Sequence, residues 1–389
     1  MPVLTGTLTG IHSILVFYSC IAGMFCGITN VNVHIFPSEN LHLHLIGSNM
    51  AGEDNSQKVT MFDVAKVCGV SYQTVSRVIN GSPAVSAKTR RLVLDAISTL
   101  GYHPNQFARG LKTRRSCLLE VITFGVETYV PRELMFALGR AALTYGYSLM
   151  FTDIKSDNVE EEDRVLAHLK SGLCDAAIMT APVENTLFER ITANPPPVPI
   201  IQIRNKRGSS MPSVMIDQLV GSQLATRHLI DLGHRQIAEI SGPLDYHEAL
   251  TRHTTFLDTL KASGLSPVES VEAVEWMPPE GYQAAKQLLD RGTAFTGLVV
   301  SNDYLALGAI LALKERGFRV PEDVSVIGYD DSPEAAYFTP PLTTIRQDYD
   351  ALAQQSIQYL MEIIYNPDTP AHQRVLVPQL IVRKSTIQL

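Results

Sequence analysis

The sequence predicts an α/β protein with a three-helix head of helix-turn-helix type, a short helical connector and a two-lobed body of parallel sheets. Three observations predict it. Between Val59 and Ser116, two short amphipathic helices meet at a glycine turn. The same stretch is basic while the remainder is acidic: Lys58 to Arg115 holds ten Lys or Arg against two acids, and residues 116–389 hold 22 against 34. Beyond Cys117, strand-like and helix-like segments alternate to the end of the chain, over more residues than one sheet accommodates.

The chain of 389 residues divides by composition into 1–57, 58–103, 104–115 and 116–389. The first segment is anomalous. Residues 1–38 contain no Asp, Glu, Lys or Arg, and Ile11 to Ile28 is largely apolar. As a membrane span it is short and diluted by Gly, Ser and His, where about 20 apolar residues are wanted. A secretory signal needs a basic start, which is missing. The abrupt change at Met50-Ala51-Gly52-Glu53 favours Met50 as the natural start, with a membrane anchor as the alternative.

In the head, Thr60-Met61-Phe62-Asp63-Val64-Ala65-Lys66-Val67-Cys68 reads as the first helix and Tyr72 to Ile79 as the second. Gly69 stands where the chain must reverse, Ser71 is a natural N-cap, and Asn80-Gly81 stops the second helix. Val64, Ala65, Val75, Val78 and Ile79 fall on an inward stripe, leaving Tyr72, Gln73 and Arg77 on the solvent side. That layout presents side chains to a DNA groove. Ser86 to Gly101 makes a third capped helix, on which Val85, Leu92, Val93, Ala96 and Leu100 can roof the first two, with Tyr102 beneath. Pro104 to Arg115 is helical in pattern, interrupted by Gly110, and too short to be stable alone. Such a segment orders on docking to DNA and to a partner copy.

In the body, Leu118–Phe124 reads as a strand, Arg132–Gly146 as a helix, Tyr147–Thr152 as a strand, Val159–Ser171 as a helix and Asp175–Met179 as a strand. After the stiff Pro195–Pro199 run, the pattern resumes with strand Ile200–Ile203, helix Gln218–Leu232, strand Ile237–Ile240 and helices His247–Ser263 and Gly281–Arg291. Strand Gly297–Val300, helix Tyr304–Arg316, strand Val324–Tyr329 and helix Tyr349–Tyr365 complete it. Ligands of such sheets sit at the carboxyl ends of strands, here in a cleft between two lobes.

The head carries Asp63-Val64-Ala65, Gly69-Val70-Ser71, Thr74-Val75-Ser76-Arg77-Val78, Val85-Ser86 with Thr89-Arg90, and Gly101-Tyr102-His103-Pro104-Asn105. With these residues the chain from Val59 to Thr386 resembles the lactose-repressor/galactose-repressor family of bacterial transcriptional regulators. Ser71 to Val78 is closest to the lactose-repressor branch. The resemblance implies that Tyr72, Gln73 and Arg77 read base edges in the major groove, with Arg77 suited to a guanine. It implies that Ser71, Thr74, Ser76 and Asn80 hold phosphates, and that Asn105, Ala108, Arg109 and Leu111 belong to a hinge helix whose leucine wedges into the minor groove.

For the body, the resemblance implies a periplasmic-binding-protein-like effector domain. Ser241-Gly242-Pro243-Leu244 with Arg252, Ser301 to Gly308, Ile327 to Asp331 and Pro340 to Asp348 match its landmarks. Arg252, Asn302 and Asp330 would each offer a sugar paired hydrogen bonds in fixed geometry. Trp276 would cover the apolar face of the ring, and Phe124 and Tyr349 would line the pocket. The expected protein is a cytoplasmic homodimeric repressor on a pseudo-palindromic double-stranded operator, without cofactor, metal or membrane. Whether the effector releases or promotes DNA binding stays open.

A solute-binding protein of a transport system is the alternative, which the basic head opposes. An enzyme is disfavoured, because the sequence offers no nucleophile–base pair, metal-ligand cluster or phosphate loop. The five cysteines have no paired or metal-like spacing and fit free thiols in a reducing compartment.

Overall fold

The computed structural model describes residues 59–102, 115–124, 132–154, 158–180, 186–203, 208 and 210–389. The apolar prefix and the connector, with Asn105, Ala108, Arg109 and Leu111, lie outside the described residues.

The head is built from α1 (Met61–Cys68), α2 (Tyr72–Ile79) and α3 (Ala87–Leu100). Ser71 accepts a hydrogen bond from the Thr74 amide at the start of α2, and Ser86 does the same for Thr89 at α3. These caps satisfy amides that the first turn cannot pair internally. Gly101 closes α3 in the left-handed conformation at φ 60°. Val64, Val75 and Val93 are fully buried, one on each of the three helices, and Tyr102 is buried as well. Leu92 departs from expectation, being 49 % exposed. The inner stripe of α3 runs through Val93 and Ala96, and Leu92 lies one helical step outside it.

The body contains two parallel sheets. The first lobe has β1 (Leu118–Phe124), α4 (Arg132–Thr144), β2 (Ser148–Ile154), α5 (Val159–Ser171), β3 (Ala176–Met179), α6 (Thr186–Ala193), β4 (Ile200–Ile203) and β5 (Ser213–Ile216). The second has α7 (Gln218–Asp231), β6 (Ile237–Ser241), α8 (His247–Ala262), β7 (Ser270–Glu272), α9 (Pro278–Asp290), β8 (Gly297–Val300), α10 (Asp303–Glu315) and β9 (Ser325–Ile327). A short 3-10 turn follows at Pro333–Tyr337. The chain then makes β10 (Thr344–Arg346), α11 (Tyr349–Tyr365), β11 (Gln373–Leu376) and β12 (Gln379–Ile381).

Strand order in the first sheet is β11-β5-β4-β3-β1-β2, and in the second β7-β6-β8-β9. Strand β11 therefore returns to the first lobe, while β10 and β12 form an antiparallel pair at the end of the second. The chain passes between lobes three times, after β5, before α11 and after β11. Both sheets are covered on two faces, so their strands read as continuous apolar runs. In the first lobe, Leu119, Val121, Ile178 and Ile201 pack towards α4 and α11, and Ile122, Ala177 and Met179 towards α5 and α6. In the second, α9 and α10 cross at backbone contact. A Cβ on Gly308 would sit 1.9 Å from the Pro278 carbonyl oxygen, so only glycine fits there.

Candidate functional site

Two groups of side chains stand out, one on the head and one at the carboxyl ends of the second lobe's strands. On the head, α2 leaves Tyr72, Gln73 and Arg77 exposed on one side while Val75 and Val78 are buried on the other. Tyr72 is 43 % exposed and its ring stacks on Phe62 of α1, with centroids 4.7 Å apart. The stack limits the side-chain freedom that an exposed tyrosine would lose on binding. The polar residues between them bond locally. Ser71 and Thr74 hydroxyls lie 2.9 Å apart, and the Asn80 amide donates to the Ser76 carbonyl at 2.7 Å. Besides the stacked Tyr72, this face of α2 presents the polar Gln73 and the cationic Arg77.

In the second lobe, Arg252 projects from α8 and is buried. Its guanidinium lies over the Tyr329 ring at 3.7 Å from the centroid and 5.8 Å from that of Trp276. Nε donates to Gln218 Oε1 at 2.9 Å, Nη1 to the Ser301 carbonyl, and Nη2 lies 3.9 Å from Asp330 Oδ1. Asp330 follows β9 with φ 112°, a backbone conformation that is costly for a residue with a Cβ and that clusters at functional sites. Its Oδ1 accepts from Gln347 Nε2 at 2.6 Å, and the same nitrogen donates to the Tyr349 hydroxyl at 2.9 Å.

Asn302 is buried as the N-cap of α10, accepting from the Leu305 amide at 2.7 Å and donating to the Trp276 carbonyl at 3.1 Å. Trp276 is buried in the second lobe's core, edge-on to Tyr246 and packed so tightly on Gly242 that a Cβ there would lie 2.3 Å from the indole. Phe124 ends β1, and its side chain lies outside the described residues. Arg252, Asn302, Trp276 and Asp330 thus come together around the ends of β8 and β9, and Tyr349 is tied to them through Gln347. The buried hydroxyls of Ser241, Tyr329 and Ser332, around the same strand ends, make no hydrogen bond.

Sequence reasoning missed Gln218, Gln347 and Asp303. Asp303, the first residue of α10, is buried, with Oδ1 accepting from Thr344 Oγ1 at 2.6 Å and Oδ2 from the Ser332 amide at 2.7 Å. Burial, reinforced by the neighbouring Asp330, pushes its carboxyl up to about 8. Asp331 is paired instead with Arg346 and Arg383. A cavity of about 370 Å³ opens between α4 and this region, with Glu133, Arg140, Asp330, Gln347 and Tyr349 on its wall. Among the described residues, no cluster of three potential metal ligands occurs and no helix is long and apolar enough to cross a membrane. Cys68 and Cys174 are buried free thiols and Cys117 is an exposed one.

Residues 60–105 match the family profile described as bacterial regulatory proteins, lacI family, and residues 226–386 match the periplasmic binding protein-like domain. The chain is 33% identical to the lactose operon repressor of Escherichia coli (strain K12) over 329 residues, 85% of this chain and 91% of that one. It is 32% identical to the HTH-type transcriptional repressor PurR of Pasteurella multocida (strain Pm70), over 84% of this chain and 98% of the relative. Among solved structures, the lac repressor dimer bound to operator and the anti-inducer ONPF is similar with a TM-score of 0.76 and 33% identity, covering 85% of this chain and all of that one.

Proposed function

This chain belongs to the lacI family of bacterial regulatory proteins and is a DNA-binding transcriptional repressor, and from that premise we propose that a small carbohydrate held between its lobes controls its affinity for operator DNA. The observation that carries the proposal is the buried Arg252 beside Asp330 at the ends of the second lobe's strands. A buried guanidinium and carboxylate at a cleft cost desolvation that a ligand with many hydroxyls offsets, because each hydroxyl both donates and accepts. Asn302 lies one residue from the Ser301 carbonyl that holds Arg252, and Trp276 supplies an apolar surface close by.

The protein works as a homodimer in this reading, each head taking half of a pseudo-palindromic operator. Tyr72, Gln73 and Arg77 read bases, and Ser71, Thr74, Ser76 and Asn80 set the helix on phosphates. Residues 58–103 form the head, 104–115 the hinge with Asn105, Ala108, Arg109 and Leu111, and 116–389 the effector and dimerisation domain. Sites preferred by the lactose operon repressor should be preferred here. Changing Arg77 to Ala should cost about 1–3 kcal/mol and relax one base position. Fluorescence anisotropy against operators varied one position at a time checks this, and uniform weakening on every sequence would rule out base reading by Arg77.

The sugar is sought by titrating intrinsic fluorescence with mono- and disaccharides. Trp276 is the only tryptophan, so a saturable change with one sugar reports the second lobe directly. Silence across the panel, with operator binding unaffected by every sugar, would overturn the carbohydrate reading and leave the repressor standing.

A further inference from the structure

Gln218 is the first residue of α7, where the chain first passes from one lobe to the other, and Gln347 stands between β10 and α11, where it passes back. They are 129 residues apart in sequence, yet Gln218 Nε2 donates to Gln347 Oε1 at 2.8 Å. Gln218 Oε1 accepts from Arg252 Nε at 2.9 Å, and Gln347 Nε2 donates to Asp330 Oδ1 at 2.6 Å. The four side chains form one directed chain.

Its direction is fixed by chemistry. Arginine can only donate, so Gln218 must turn its oxygen to Arg252 and its nitrogen to Gln347. An ionised Asp330 can only accept, so Gln347 must take Gln218's proton on oxygen and give its own to Asp330. Neither amide can flip without breaking two bonds. We propose that Gln218 and Gln347 form a latch that fixes the setting of two interlobe crossings and carries ligand engagement of Arg252 and Asp330 to them. This rests on the reading that those two charged residues meet the effector. A ligand taking hydrogen bonds from Arg252 and giving them to Asp330 competes at both ends of the chain. The crossings, held at their middle by the two glutamines, then become free to move past one another. Both glutamines are thus positioning residues acting through Arg252 and Asp330.

The test is hydrogen exchange on the full-length protein without any sugar, following segments 213–222 and 343–352. Gln218→Glu keeps the acceptor for Arg252 and removes the donor to Gln347, losing besides only the 3.3 Å bond to the Ile216 carbonyl within its own segment. Gln347→Met removes its bonds to Gln218, Asp330 and Tyr349 at nearly constant shape. Each variant should speed exchange roughly fivefold in both segments, the size of one net hydrogen bond, and the double variant should add nothing further. A residue with only a local structural role would loosen its own segment and leave the other unchanged. Exchange confined to the altered segment, or effects that add in the double variant, would overturn the latch. Gln218→Glu introduces no void, and thermal unfolding of each variant establishes that the fold is kept. Because no sugar is present, failure here is distinct from failure of the fluorescence titration.

Discussion

Replacing Arg252 by Ala should abolish the sugar response while leaving operator binding in place. The guanidinium serves Gln218, the Ser301 carbonyl and the Tyr329 ring, with Asp330 3.9 Å away. Its removal strands two acceptors and a carboxylate in a buried setting, so the site loses both its donor fork and its shape. Loss of a charge-assisted pair of bonds to a ligand hydroxyl is worth about 3 kcal/mol, which is more than 100-fold in affinity. Arg252→Lys should not restore it, because an ammonium cannot span Gln218 and Ser301 while stacked on Tyr329. Calorimetry is the suitable readout, since Arg252 lies close enough to Trp276 to alter fluorescence directly. The partners of Arg252 all lie in the body, so operator affinity without sugar should change by no more than a few-fold. A variant that still titrates with the same sugar at wild-type affinity would remove Arg252 from the site.

The head was legible almost to the residue, because its caps, glycine turns and inward stripe are local features. Ser71, Ser86 and Gly101 do in the structure what their residue types dictate. The main lobe strands were legible for the same reason, as apolar runs flanked by turn residues. What the sequence concealed depends on distant partners. Strands β5, β7, β10, β11 and β12 are three or four residues long, and β11 joins the first sheet only because the chain returns there after α11. Helix α6 is only eight residues long and was missed, although Asn185 and the Thr186-x-x-Glu189 pattern are capping signals. Arg252, Asn302 and Asp330 were found through segments that resemble a family, yet their roles in the fold differ from one another. Asn302 caps a helix and holds a backbone carbonyl, which its position before an apolar helical run could have signalled. The Gln218–Gln347 bond has no sequence signature, since nothing local marks two glutamines so far apart as neighbours.

Asp303 should make the second lobe less stable as pH rises, and Asp303→Asn should remove that dependence. An unfolded aspartate ionises near pH 4, whereas the folded group holds its proton until about 8. Between those values the folded chain carries a proton that the unfolded chain has released, so stability falls as pH rises through the window. Below pH 4 both states are protonated and the penalty vanishes. Asparagine mimics the neutral acid, accepting from the Ser332 amide through its oxygen and donating to Thr344 Oγ1 through its nitrogen. Relative to the natural chain, the variant should therefore gain about 4 kcal/mol between pH 5 and pH 9. Trp276 belongs to the same hydrophobic core as residues of α10, so its fluorescence during urea unfolding reports the relevant lobe. Parallel pH profiles for the two proteins would mean that Asp303 is ionised in the fold throughout. The functional consequence follows from the neighbour. Once Asp303 loses its proton, a second buried negative charge faces Asp330, which favours any partner that donates to Asp330. Gln347 does so at 2.6 Å, and the Arg252 guanidinium 3.9 Å away is drawn by the same charge.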